Sequence, residues 1–187
     1  LNTDGRGRYL GEFQGEDRIL VVNKNGTYYT TDYDLSNHYE EGFSVIEKYE
    51  PEKVWSAVFF DAEQQFYYLK RFRFENVVRH TLFIGETEGS YLVALSGEKR
   101  PRFEVVFGGR YESRPAEVIV ADEFIAEKSY KARGKRVTTY EVKQINEIEP
   151  LDSGEEESEE TASTDIDFEI TNPDMLSDET QMKLDFE

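Results

Sequence analysis

The side chains of this 187-residue sequence with the most legible chemistry are its cations. Lys70-Arg71-x-Arg73 with Arg79, Lys99-Arg100-x-Arg102, Arg110 with Arg114, and Lys128-x-x-Lys131-x-Arg133-x-Lys135-Arg136 recur at repeat-like intervals, interleaved with Tyr and Phe. Guanidinium and ammonium groups in such runs suit phosphate oxygens, where they set affinity and register without reading base sequence. One cluster alone would be an ordinary solvated strand face. Four clusters in an otherwise acidic chain point to a basic rim that tracks a polyanion. The candidate phosphate contacts are Lys70, Arg71, Arg73, Arg79, Arg100, Arg102, Lys131, Arg133, Lys135 and Arg136.

A formal charge of −18 seems to exclude such a partner. Divided at Pro150, however, the charge is −5 in the body and −13 in residues 151–187, where Lys183 is the one base. Residues 1–66 carry −7 and residues 67–143 carry +4, so a locally basic module sits beside an acidic appendage.

Other chemistries find little support. Gly5-Arg-Gly-Arg-Tyr-Leu10 lacks the third glycine of a dinucleotide fingerprint, and no Gly-x4-Gly-Lys-Ser/Thr loop exists. Asp32-Tyr-Asp-Leu-Ser36 imitates the start of a calcium loop, but Asn37 stands at its sixth position and Phe43 at its twelfth. A turn whose Asp side chains bond local backbone is the better reading. His38 and His80 fall in no metal-ligand spacing and no Cys is present, so a zinc site, a thiolate nucleophile and a disulfide framework find no residues. His80 beside Arg79 reads as a surface or phosphate-adjacent residue. No carboxylate pair is singled out for hydrolysis. No apolar run approaches the roughly 20 residues needed to span a bilayer as a helix. The expectation is a soluble, cytoplasmic chain. Starting on Leu1, it reads as a fragment or a processed product.

The elements that must position these cations are strands. Arg18-Ile-Leu-Val-Val22 and Thr27-Tyr-Tyr-Thr-Thr31 flank Asn25-Gly26, a hairpin signal. Val54–Phe60 and Phe66–Phe74 flank the polar turn Asp61–Gln65, and from Tyr68 onward the alternation predicts a half-buried strand with Arg71 and Arg73 on a basic outer face. Further strands are expected at 8–13, 43–47, 81–84, 91–95, 102–107, 117–120, 124–130 and 136–143, about a dozen in all. The body is therefore all-β, a sandwich, barrel or propeller. The hairpins opened near Arg18, Trp55 and Ala116 form a weak repeat, which suggests about three four-stranded, blade-like units in residues 1–150. Residues 151–187 form a largely irregular acidic tail, because Asp152–Glu160 cannot bury enough apolar surface to offset its ordering entropy.

Gly7-Arg-Tyr-Leu-Gly-Glu-Phe13, Pro51-Glu-Lys-Val-Trp-Ser-Ala-Val58, Tyr68-Leu-Lys-Arg-Phe72 and Lys131-Ala-Arg-Gly-Lys-Arg-Val-Thr-Thr-Tyr140 carry a resemblance. They are similar to the C-terminal domain of bacterial type IIA topoisomerase A subunits, in the topoisomerase IV branch of Bacteroides-like bacteria. The resemblance implies a β-pinwheel whose basic edge binds and bends duplex DNA. The gyrase branch carries a Gln-Arg-Arg-Gly-Gly-Lys-Gly box; Tyr130-Lys-Ala-Arg-Gly-Lys-Arg136 keeps only part of it, which favours topoisomerase IV.

Under that resemblance this fragment carries no catalytic residues and no cofactor, and the holoenzyme is implied to use ATP and Mg. Its implied partners are duplex DNA, the rest of the A subunit and the ATPase B subunit, in the nucleoid. Gln181-Met-Lys-Leu-Asp-Phe186 also resembles peptides that dock on the bacterial sliding clamp, which would make Gln181, Leu184 and Phe186 a partner-binding motif. The alternative reading is a β-rich protein-interaction scaffold that uses its acidic tail.

Overall fold

A computed structural model describes residues 1, 3, 7–39 and 42–151. The acidic tail and the Gln181–Phe186 motif lie outside the described residues. The first described unit is nearly all-β, as the alternating patterns predict. Its strands are β1 (Ile19–Asn23), β2 (Thr27–Thr31), β3 (Phe43–Lys48), β4 (Trp55–Asp61), β5 (Phe66–Phe72) and β6 (Thr81–Leu82). They continue with β7 (Tyr91–Ser96), β8 (Arg102–Phe107), β9 (Glu117–Val120), β10 (Lys135–Arg136) and β11 (Val142–Ile148); one helical turn, α1 (Ala121–Phe124), follows β9. Among the described residues no helix is long and apolar enough to cross a membrane.

The turns follow from side-chain chemistry. Gly26 sits at φ +79° and donates its N–H to the Asn23 carbonyl at 3.0 Å, closing the first hairpin. In the second turn the buried Asp61 carboxylate accepts the backbone N–H groups of Glu63 (3.0 Å) and Gln64 (3.2 Å), which lets Gln65 adopt a left-handed φ of 60°. The calcium-like segment is an Asx-bonded turn: Ser36 N–H donates to Asp34 Oδ1 (2.8 Å) and Asn37 Nδ2 to Asp32 Oδ1 (2.7 Å).

The strands form three antiparallel sheets, ordered β3-β1-β2-β6, β10-β5-β4-β7 and β11-β8-β9. In each, a hairpin is extended on its first strand by a later strand: β1 by β3, β4 by β7 and β8 by β11. In the first two, the hairpin's second strand is covered by a segment that arrives only after the next hairpin. Thus β6 pairs with β2 although β4 and β5 intervene, and β10 pairs with β5 although β8 and β9 intervene. Main-chain bonds beyond these short ladders extend the cover, from Thr30 N–H to the Val77 carbonyl (2.6 Å) and from Lys128 N–H to the Arg71 carbonyl (2.8 Å). Where four strands per unit were expected, the third sheet has three among the described residues.

The second sheet is apolar on both faces. Ala57, Phe59, Tyr68 and Phe72 pack with Leu20, Val22 and Tyr28 of the first sheet. Val58 and Leu69 pack with Phe103, Val105, Phe107 and Ile145 of the third. This corrects the sequence reading of β5, whose supposed outer face lies under the third sheet and α1. Three other expected strands also differ. Residues 8–13 make no ladder but lay Leu10 and Phe13 on the outer face of the first sheet beside Ile19, Val21 and Ile46. Residues 124–130 become the end of α1 and an irregular loop. The run 136–143 splits between β10 and β11, because the chain passes there from the second sheet to the third.

Phe83, just beyond β6, shows how the exchanged segments join the sheets. It is buried against Tyr28 of the first sheet (6.0 Å between ring centroids), against Phe72 of β5 (5.5 Å) and against Phe74 just beyond it (5.2 Å). Edge-to-face and tilted aromatic contacts of this kind add to simple area burial. Replacing Phe83 by Ala is expected to cost about 3–5 kcal/mol in urea unfolding of the full chain followed by emission of Trp55, the one tryptophan. A loss under about 1 kcal/mol would mean that the exchanged segment does not hold these sheets together.

Candidate nucleic-acid interface

Of the ten predicted phosphate contacts, four come together on one loop. Lys131, Arg133, Lys135 and Arg136, with Lys128, place five cations in nine residues that contain no carboxylate. The loop is tied to β5 along its length. Lys135 and Arg136 pair with Leu69 and Tyr68, Val137 N–H donates to the Tyr67 carbonyl (2.8 Å), and Lys128 N–H reaches the Arg71 carbonyl. Within the loop, Ala132 N–H donates to the Ser129 carbonyl at 2.9 Å. Gly134 is required where it stands: its φ is +94°, and a Cβ there would lie 2.5 Å from the Leu69 carbonyl oxygen.

The side chains of this loop are splayed over aromatic rings. The Lys135 ammonium lies 4.1 Å from the Phe124 ring centroid, the Arg136 guanidinium 4.5 Å from Phe66, and the Lys131 ammonium 5.5 Å from Tyr130. Such contacts orient a cation without neutralising it. Arg133 is exposed and stands 3.8 Å from both Asp61 and Glu63, ion pairs too long and too wet to hold it firmly. Arg79 is exposed on the segment leading to β6, with no ion pair among the described residues. His80 beside it stacks on Tyr29 at 4.1 Å.

The remaining candidates are engaged by the protein. Lys70 is a correction: it is 3 % exposed and cannot meet a phosphate in this fold. The alternation that put Lys70 on the face of Phe72 and Phe74 was right, and that face is core. Its ammonium donates to the carbonyls of Phe83, Tyr130 and Ala132 and lies 4.9 Å from the Phe72 ring centroid. Arg71 is half-buried beneath α1, with one guanidinium N–H directed at the Ile125 carbonyl (3.5 Å). Arg73 pairs with Glu52 (3.1 Å) and Glu127 (3.3 Å). Arg100 pairs with Asp122 (3.1 Å) and Glu123, and Arg102 donates to the Glu149 carbonyl (2.6 Å). Sequence reasoning missed the roles of Tyr130 and Gly134 in shaping the loop; the left-handed glycine between two basic residues was the available signal. Among the described residues no group of His, Cys, Asp and Glu could hold a metal ion.

Residues 1–149 match the family described as topoisomerase C-terminal domain, Bacteroidota. The chain belongs to that family. Among solved structures it is similar to the crystal structure of the C-terminal domain of DNA topoisomerase IV, at 13 % identity and a TM-score of 0.47. That likeness covers 74 % of this chain and 48 % of the other, so this chain spans about half the length of the structure it matches. No curated protein matches it.

In this topoisomerase C-terminal domain the burial of Lys70 has a measurable signature. Desolvation pushes its ammonium down from the usual lysine value to about 8. It is still protonated at pH 7, the state that three carbonyl acceptors require. Below pH 8 the group is charged in both folded and unfolded chains, and above about 10.5 it is neutral in both. Between these values the unfolded chain binds more protons, so this group makes stability rise with pH. The unfolding free energy of the parent relative to Lys70→Met is expected to increase by about 3 kcal/mol between pH 7.5 and 10.5, since each unit of pKa is worth about 1.4 kcal/mol. Urea titrations of both proteins across that range check this, and a flat difference would show that the ammonium is not desolvated.

Proposed function

We propose that this chain is a non-catalytic, duplex-DNA-binding and DNA-bending domain of a topoisomerase IV A subunit. On this reading it presents a duplex to an ATP-dependent strand-passage enzyme assembled from the rest of the A subunit and the ATPase B subunit. Family membership supports the setting, in the cytoplasm at the nucleoid. The observation that carries the DNA reading is the loop Lys128–Arg136, with five cations, no carboxylate and a backbone fastened to β5. A cluster with no internal counter-charge attracts a polyanion, whereas Arg73 and Arg100 already have carboxylate partners.

The loop would grip phosphates, with Arg79 as a further contact. Phosphate contacts of this kind carry no sequence information. They displace condensed counterions, which makes salt the diagnostic variable. With about five phosphates neutralised, a random duplex followed by fluorescence anisotropy is expected to bind with a log–log salt slope near −4 to −5. Changing Lys131, Arg133, Lys135 and Arg136 together to Gln should flatten that slope by about 3, while Arg100→Ala should leave affinity within about twofold. A slope near zero in the parent would dismiss the DNA reading and leave a protein-interaction scaffold.

The acidic tail then has a proposed role. A segment of charge −13 tethered to a DNA-binding body competes with DNA at high effective concentration. Removing residues 152–187 is expected to tighten DNA binding, most at low salt, where charges act over a longer range. Equal affinities with and without the tail across a salt series would remove this role. The Gln181, Leu184 and Phe186 motif is proposed as a sliding-clamp contact on the strength of its sequence alone.

A further inference from the structure

The residue that sequence analysis took for a phosphate contact holds a different position, and that position is informative. Lys70 is the one lysine that the described fold buries, and burying a cation is costly unless its donors are fully used. Its three acceptors are not scattered. One, the Phe83 carbonyl, belongs to the exchanged segment that joins the first sheet; the other two, Tyr130 and Ala132, belong to the basic loop. Tyr130 and Ala132 stand on either side of Lys131, and Ala132 directly precedes Arg133. Two residues further on, Gly134 presses against the Leu69 carbonyl and the Lys70 Cβ, where an added Cβ would lie 2.9 Å away.

We propose that Lys70 is the positioning residue of the DNA-binding loop: its buried ammonium, held by the Tyr130 and Ala132 carbonyls, fixes the backbone from which Lys131 and Arg133 reach phosphate. The inference rests on the DNA reading above and deepens it. A run of like charges such as 128–136 repels itself; the short β10 ladder restrains its far end and the Lys128 N–H bond to the Arg71 carbonyl its start, which leaves the stretch between them to be held. The ammonium restrains that middle stretch, at Tyr130 and Ala132, while staying out of contact with DNA. The Tyr130 and Ala132 carbonyls turn inward to Lys70 on either side of Lys131. Loss of that restraint would keep both cations but take Lys131 and Arg133 out of register with the phosphates, so that their two contacts go largely unmade. Each would have to be made independently, at a higher entropic cost.

The test uses the full chain, a labelled random duplex and a salt series, with Trp55 emission and cooperative thermal unfolding as the check on folding. Lys70→Met, which removes the ammonium and keeps the stem, is expected to bind about tenfold more weakly at low salt and to flatten the salt slope by about 2, as if two phosphate contacts had gone. Arg133→Ala should lose about threefold in the parent but almost nothing in the Lys70→Met background, since neighbours in one network are not additive. Amide exchange at Ala132 should rise in the same variant. If Lys70→Met does not fold, Lys70→Gln, which keeps an amide donor but no charge, is read in the same way. A folded variant with the parent's affinity and slope, or strictly additive losses with Arg133→Ala, would overturn the proposal. If the parent itself fails to bind duplex DNA, the DNA reading falls and this proposal falls with it. If the parent binds and only the Lys70 variants match it, the DNA reading stands alone.

Discussion

The central sheet of this domain has no face to spare. β4 and β5 carry apolar side chains toward the first sheet on one side and the third on the other, so each of the other two sheets is stabilised by the same pair of strands. An antiparallel sheet usually leaves one face to water, and covering both converts alternation into a near-continuous apolar run. The run Trp55-Ser-Ala-Val-Phe-Phe60 is that signature, buried from Trp55 through Phe59. Because the middle layer is shared, the sheets cannot be assembled one at a time without leaving a large apolar face exposed to water.

Strand exchange adds the second constraint. The outer edge of β2 is closed by residues that follow β5, and the outer edge of β5 by residues that follow β9. Each closing segment is short: β6 and β10 are two residues long and would be marginal as independent strands. What holds them is side-chain packing and local bonding. Phe83 stacks into the aromatic cluster, Gly134 allows close approach to β5, and the Lys70 ammonium gathers carbonyls from both exchanged segments. A buried lysine with three carbonyl acceptors serves here as a polar tie between elements far apart in sequence.

The electrostatic character of the surface follows from this framework. Cations that project beside α1 or the β5 end meet carboxylates delivered by neighbouring elements, as Arg100 meets Asp122 and Arg73 meets Glu127. Lys131, Lys135 and Arg136 on the loop meet aromatic rings instead, and keep their charge. The distinction between a neutralised and an available cation is set by what the fold brings opposite each one. Net charge and even local charge density do not report it.

Much of the architecture was legible along the chain. Period-two apolar runs, Asn25-Gly26 and the Asp61 turn were enough for an all-β body and its hairpins, because strand alternation and turn chemistry are local properties. The family resemblance rested on segments such as Tyr9–Phe13 and Trp55–Val58, and the match over residues 1–149 agrees with it. The basic loop, too, was visible as a run of cations around Gly134. What the chain could not show was that both sides of β5 face core, since the second side depends on a third sheet formed by residues more than 30 positions later. Nor could it show that Lys70 is buried while Lys135 is exposed. Both are lysines directly followed by an arginine in basic stretches. Only the tertiary structure separates them, because desolvation and counter-charge depend on the neighbours that folding supplies, and those neighbours come from distant parts of the chain.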